Sequence, residues 1–144
     1  MLTADILCET VNDIMKTLEE VREIFASDRF ATVAAGATID EIGENYAVCS
    51  MKIIPNHLNA RDAVMGGAIF TLADFAFAVA TNHENIGTVT LTSQISFMGV
   101  AKGDTLIART RLIKDGRRNC FYEIDVTDNL GTPVAMVSTT GAHI

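Results

Sequence analysis

The sequence predicts an α+β fold, with one antiparallel sheet wrapped around a single long central helix and an extra helix at the N-terminal end. Three observations carry this expectation. Residues 66–82 form a helix-length run of apolar and small side chains with one charge in it, as a helix covered on nearly every side requires. Residues 89–140 alternate apolar and polar side chains with period two, the pattern of half-buried strands. The turns between those strands are a few residues long, too short for crossover connections, so neighbouring strands run antiparallel.

Taken in order, residues 3–26 read as an amphipathic helix. Ile6, Leu7, Val11, Ile14, Met15, Leu18, Val21, Ile24 and Phe25 recur at helical spacing, with Thr3 as N-cap. Ser27-Asp28-Arg29-Phe30 breaks it, and a first strand is expected near residues 35–39. Residues 46–54 form a second strand that Pro55 ends. Residues 56–64 are a polar loop, after which Gly66-Gly67 opens the central helix. Residues 82–87 turn into a strand at 89–97, with Val89, Leu91, Ile95 and Phe97 on one face and Thr90, Thr92, Gln94 and Ser96 on the other. Lys102-Gly103-Asp104 leads into strand 105–113, and Asp115-Gly116 marks a hairpin into strand 118–127. That strand puts Cys120, Tyr122, Ile124 and Val126 on one face, and Asp128-Asn129-Leu130-Gly131 turns into the last strand, 133–140.

With 144 residues the chain is long enough for one domain with a core that needs neither disulfide nor metal. Its 49% hydrophobic content is high for a monomer and points to surface hidden between subunits. A net charge of −7 excludes nucleic acid as a partner, because a polyanion calls for clustered Lys and Arg. Acidic residues through the first 25 positions argue against a signal peptide, and Asp74 interrupts the one run approaching a membrane span. Cys8, Cys49 and Cys120 lie far apart, as expected of reduced thiols in a cytoplasmic protein.

Asp74 is the most informative residue. Burial of a carboxylate among Ala, Phe, Leu and Val costs several kcal/mol unless a partner or a changed pKa compensates. Two readings follow from the residues alone: a functional carboxylate, or a structural one accepting hydrogen bonds from Thr71 or a second chain. No Ser-His-Asp arrangement, phosphate loop or metal cluster is visible, so no metal site is expected.

The segment Asn59-x5-Met65-Gly66-Gly67, with Asp74 eight places after Gly66, resembles the core motif of hotdog-fold acyl-CoA thioesterases of the phenylacetic-acid-degradation type. Phe97-Met98, Lys102-Gly103-Asp104 and Asp128-x2-Gly131 fit the same pattern. The resemblance covers residues 31–142 and implies one hotdog thioesterase domain over residues 1–144, with helix 1–27 added to core 31–142. It also implies hydrolysis of an acyl thioester to a carboxylic acid and free coenzyme A, with no cofactor beyond the coenzyme A of the substrate. By resemblance, Asp74 is the base or nucleophile, the Gly66 N–H polarises the carbonyl, Asn59 positions water, and Thr90 assists the carboxylate. Met65 stands where the family has His, which removes a donor. That substitution keeps a second reading open, a non-catalytic acyl-CoA-binding or regulatory protein.

Helix geometry adds an expectation about assembly. Eight residues at 1.5 Å rise put Asp74 roughly 12 Å from Gly66 along the axis, whereas reacting groups stand about 3–3.5 Å apart. The site is therefore expected to combine Gly66 of one chain with Asp74 of another, in a dimer at least and a tetramer as the fuller assembly. The remaining substrate-side candidates are Met65, Gly67, His57 at the pocket edge, and Arg117 and Arg118. With Lys114 these two arginines form either a solvated hairpin or a contact for coenzyme A phosphates. His83 and His143 are read as solvated ends.

Overall fold

The computed structural model describes residues 15–144; the first half of the expected N-terminal helix lies outside them. The expected continuous helix over 3–26 does not hold within them: residues 15–17 are not helical, and a helix spans Leu18–Phe25, capped by Thr17, whose hydroxyl accepts from the Glu20 N–H at 3.2 Å. It buries Val21 and Phe25, and Phe25 meets Phe75 of the central helix edge-on, with centroids 6.0 Å apart. Arg22 Nε donates to the Ile39 carbonyl at 2.9 Å, tying the helix to the first strand. A short π-helical turn, Phe30–Ala34, follows.

Six strands form one antiparallel sheet: β1 (Ala37–Gly43), β2 (Tyr46–Lys52), β3 (Thr88–Phe97), β4 (Thr105–Asp115), β5 (Asn119–Asp128) and β6 (Pro133–His143). Their order is β1-β2-β4-β5-β6-β3, so β1 and β3 are the edges. The sheet curls around the central helix, Gly66–Asn82, whose bounds match those read from the sequence. Inward residues such as Cys49, Met51, Leu106, Ile124, Val126 and Val137 close on Leu72, Ala73, Phe75, Ala76, Phe77 and Val79. Phe77 packs edge-on against Tyr122 at 5.3 Å. Its ring passes beneath Gly141, where a Cβ would lie 2.8 Å from Phe77 Cζ, so only glycine fits. The expected inward face of β5, namely Cys120, Tyr122, Ile124 and Val126, is buried as read.

One face assignment changes. β3 carries a bulge between Thr90 and Thr92, with Leu91 as the inserted residue. Thr90 pairs with Gly141, Ser93 with Thr139 and Ile95 with Val137, and opposed residues share a face. Thr90 therefore points inward with Ile95 and Phe97, and Val89, opposite Ala142, points outward, although simple alternation places each on the other side.

Asp128 joins the loops at one end of the sheet. Its Oδ2 accepts from the Lys102 and Gly103 amides at 2.7 and 2.9 Å, and its Oδ1 from those of Leu130 and Thr132 at 2.9 and 2.8 Å. Burial opposes ionisation, but the amide donors outweigh it and hold this carboxyl well below the usual carboxylate range. A carboxyl with a depressed folded pKa contributes stability above its unfolded pKa of about 3.9 and loses it as pH falls through the folded value. Asp128→Asn is expected to lower Tm by several degrees at pH 7, with the gap to wild type narrowing as pH drops below about 4. Thermal melts across pH 2–7 check this, and a gap independent of pH would contradict it.

Candidate active site

The central helix begins without a side-chain cap. Met65 occupies the N-cap position in extended conformation, and its carbonyl accepts from Ala68 and Ile69 at 3.0 and 3.2 Å. The amides of Gly66 and Gly67 meet no acceptor among the described residues. They project at the positive end of the helix dipole, with no Cβ in the way of an approaching carbonyl. Above Gly66 lies Phe97, whose Cζ would be 2.7 Å from a Cβ built there.

The loop before the helix is fixed by its own backbone. The Asn59 amide donates to the Ala63 carbonyl at 2.8 Å, and the Met65 amide to the His57 carbonyl at 2.8 Å. Asn59 Oδ1 accepts from the Arg61 and Ala63 amides at 2.8 and 3.2 Å, which leaves the side-chain NH2 as its free donor. A cavity of about 530 Å³ opens here, with Asn59, Arg61 and Gly66 on one side and Phe97, Met98 and Val100 on the other. Asp74 does not line it.

Asp74 sits on the one stripe of the central helix that the sheet leaves open, with Gly67, Phe70, Thr71, Ala78 and Thr81. Thr90 Oγ1 donates to Asp74 Oδ1 at 3.3 Å, a contact made possible by the bulge at Leu91. Thr71 does not reach the carboxylate, because its hydroxyl donates to the Gly67 carbonyl at 2.8 Å. Burial raises the Asp74 pKa, the Thr90 hydrogen bond opposes that rise, and the negative charge of Asp28 adds to it. Asp28 follows the N-terminal helix, and nothing in its sequence surroundings marked it as a neighbour of the site.

Other candidates sit apart from the cavity. His57, expected at the pocket edge, is 5% exposed: its Nδ1 accepts from the Ile54 amide at 3.2 Å and its Nε2 donates to the Ala35 carbonyl at 2.7 Å. Both ring nitrogens are spent on backbone, so His57 holds the loop and faces no substrate. His83, expected to be solvated, is 2% exposed, with Nε2 2.8 Å from the Gly43 carbonyl oxygen. His143 lies between Asp115 Oδ1 at 2.8 Å and Thr88 Oγ1 at 2.9 Å. Arg117 and Arg118 are exposed in the β4–β5 hairpin, beside the start of β3, whereas Gly66 stands near its end. Within one chain they do not meet the Gly66 cavity. Arg61 lines it instead, and the sequence carried no motif that singled this residue out.

A six-stranded antiparallel sheet wrapped around one long helix is the hotdog fold. Residues 62–135 match the family model described as the thioesterase superfamily, and the chain belongs to that family. It is 31% identical over 123 residues to the acyl-coenzyme A thioesterase PaaI of Escherichia coli K12, a match spanning 84% of this chain and 86% of that protein. The fold aligns with the solved structure of E. coli PaaI at a TM-score of 0.77 and 26% identity, covering 89% and 96% of the two chains. A Streptococcus mutans protein solved with acetyl-CoA bound aligns at 0.70 with 27% identity, covering 75% and 88%.

The Asp74 environment makes a direct expectation. Titration of the Asp74 carboxyl followed by carbon NMR is expected to give a midpoint above the ordinary aspartate value. Thr90→Val, which removes the hydroxyl donor, is expected to move it further up. A midpoint unmoved by Thr90→Val would show that the hydrogen bond does not stabilise the ionised form.

Proposed function

We propose that the protein hydrolyses acyl-CoA thioesters to a carboxylic acid and free coenzyme A, at a site built from two copies of the chain. The observation that carries this reading is the division of one helix into two half-sites. Unpaired amides stand at Gly66 and Gly67, and Asp74 lies eight residues on, roughly 12 Å away along the axis. Neither half completes a reaction alone, whereas two antiparallel central helices would bring each Gly66 to the other's Asp74.

The chemistry then follows from the residues. A thioester carbonyl oxygen accepts from the Gly66 N–H, and the helix dipole favours the developing oxyanion. Ionised Asp74 of the second chain takes a proton from water as the water oxygen attacks the carbonyl carbon. Collapse of the tetrahedral intermediate breaks the C–S bond, and the departing thiolate recovers that proton. Alternatively Asp74 attacks the carbonyl carbon directly and expels coenzyme A as its thiolate, and water then cleaves the resulting anhydride, its proton passing to the thiolate. The Asn59 side-chain NH2 lies on the Gly66 side and orients the water, while the Thr90 hydroxyl donates to Asp74 and opposes the rise in its pKa. With Met65 in place of the family's His, the backbone amides alone stabilise the oxyanion.

Surface chemistry supports the paired arrangement. β3 is an edge strand with unpaired outer backbone groups. Its Val89, Leu91 and Phe97 are exposed, as are Phe30 and Val33 of the π-helical turn. The thioesterase activity for which the E. coli relative is named and the acetyl-CoA bound to the S. mutans neighbour support acyl-CoA as the substrate class. The buried thiols Cys49 and Cys120 are unpaired, and no helix among the described residues is long and apolar enough to cross a membrane. A cytoplasmic dimer, or a tetramer of two such pairs, accommodates these features.

Asp74→Asn is expected to lower kcat about 100-fold or more while the fold is retained. Gly66→Pro removes the proposed donor at the first helical position, where the fixed φ of proline is compatible with the helix, and because its Cβ must displace the Phe97 ring the comparison is made in a Phe97→Ala background. It is expected to cost about 100- to 1,000-fold in kcat, as loss of an oxyanion donor does. Turnover of acyl-CoA by either variant at the rate of its parent would exclude the corresponding role.

A further inference from the structure

We propose that Arg61 binds the phosphate of the substrate's phosphopantetheine arm, which makes the cavity beside Gly66 the carrier side of the site and leaves the acyl group to the Asp74 side. The inference rests on the acyl-CoA reading and adds a recognition residue to it.

The cavity has two kinds of wall. Phe97, Met98, Val100 and Ile69 supply apolar surface suited to the alkyl parts of a pantetheine arm. The open Gly66 amide and the Asn59 NH2 mark the end of that cavity where the thioester itself is held. Arg61 adds the one charge among the lining residues. Gly66 follows Arg61 by five positions, at most about 18 Å of extended backbone, and both line one cavity.

The guanidinium is uncommitted. Arg22 pairs with Glu19, Arg111 with Glu123, and Arg109 donates to Thr127, but Arg61 has no side-chain partner among the described residues. Arg29, Arg117 and Arg118 likewise lack one among the described residues, but of these four only Arg61 lines the cavity. Its backbone is nonetheless fixed, by the Asn59 Oδ1 bond to its amide and by Asp62 in left-handed conformation beside it. The opposite wall ends at Ala101, and Lys102 follows it, its amide held by Asp128 at 2.7 Å. A fixed backbone and an unpaired planar fork of donors suit a phosphate ester. Coenzyme A and the prosthetic group of an acyl carrier protein share this phosphate.

The test compares three thioesters of one acyl group: on coenzyme A, on acyl carrier protein, and on pantetheine, which lacks the phosphate. Arg61→Gln is expected to lower kcat/KM for acyl-CoA about tenfold more than for acyl-pantetheine, the size of one hydrogen bond to a charged group. A matching selective loss on the carrier-protein thioester would identify that as a second source of the same phosphate. Calorimetry of free coenzyme A against pantetheine reads the contact without turnover, with about tenfold weaker coenzyme A binding expected. Equal losses on all thioesters, no loss, or a coenzyme-A-selective loss in Arg117→Glu/Arg118→Glu instead would overturn the proposal. A wild-type protein that hydrolyses none of the three would defeat the acyl-CoA reading, and the calorimetric comparison would still decide Arg61.

Discussion

The rise of an α-helix governs the proposed site. Gly66 and Asp74 lie on the same rigid element, and a helix of 17 residues encased by a sheet cannot bend to bring its first turn to its third. The open amides and the carboxylate therefore stay about 12 Å apart in every copy of the chain. Reaction at a carbonyl needs both at contact distance. If both groups serve one reaction, a second chain must supply the missing half.

The rest of the fold meets the consequences of that constraint. Small residues at Ala73, Ala76 and Ala80 let the sheet close tightly on three sides of the helix. The fourth side is left to the stripe through Gly67, Thr71 and Asp74. The bulge at Leu91 turns Thr90 toward that stripe and gives Asp74 one donor, enough to oppose part of the rise in pKa that burial imposes. Far from the carboxylate, Asp128 gathers four backbone amides and fixes the loop carrying Gly99–Ala101, and hence one wall of the Gly66 cavity.

Much of this was legible in the sequence. One charge in an apolar run identified Asp74, and the period-two pattern of residues 118–127 identified the inward face of β5. The glycine pair placed the helix start correctly because a helix N-terminus leaves a local chemical signature. Other features depend on distant partners and left no such mark. An inserted residue in β3 is invisible to an alternation rule, so Val89 and Thr90, which precede it, were assigned to the wrong faces. His57 and His83 looked like loop residues because the carbonyls that satisfy them, Ala35 and Gly43, are 22 and 40 positions away. Arg61 stood out only when its cavity could be seen, since an isolated arginine in a polar loop carries no spacing signal.

The two-chain site is tested most directly by mixing inactive subunits. Asp74→Asn and Gly66→Pro chains, both in the Phe97→Ala background and each inactive alone, are unfolded together and reassembled in equal amounts. Random pairing makes about half the dimers mixed, and each mixed dimer holds one site with an intact Gly66 from one chain and an intact Asp74 from the other, so about a quarter of the activity of the Phe97→Ala parent should return. A mixture as inactive as its components, with mixed dimers demonstrated by native mass spectrometry, would mean that Gly66 and Asp74 do not act across the interface.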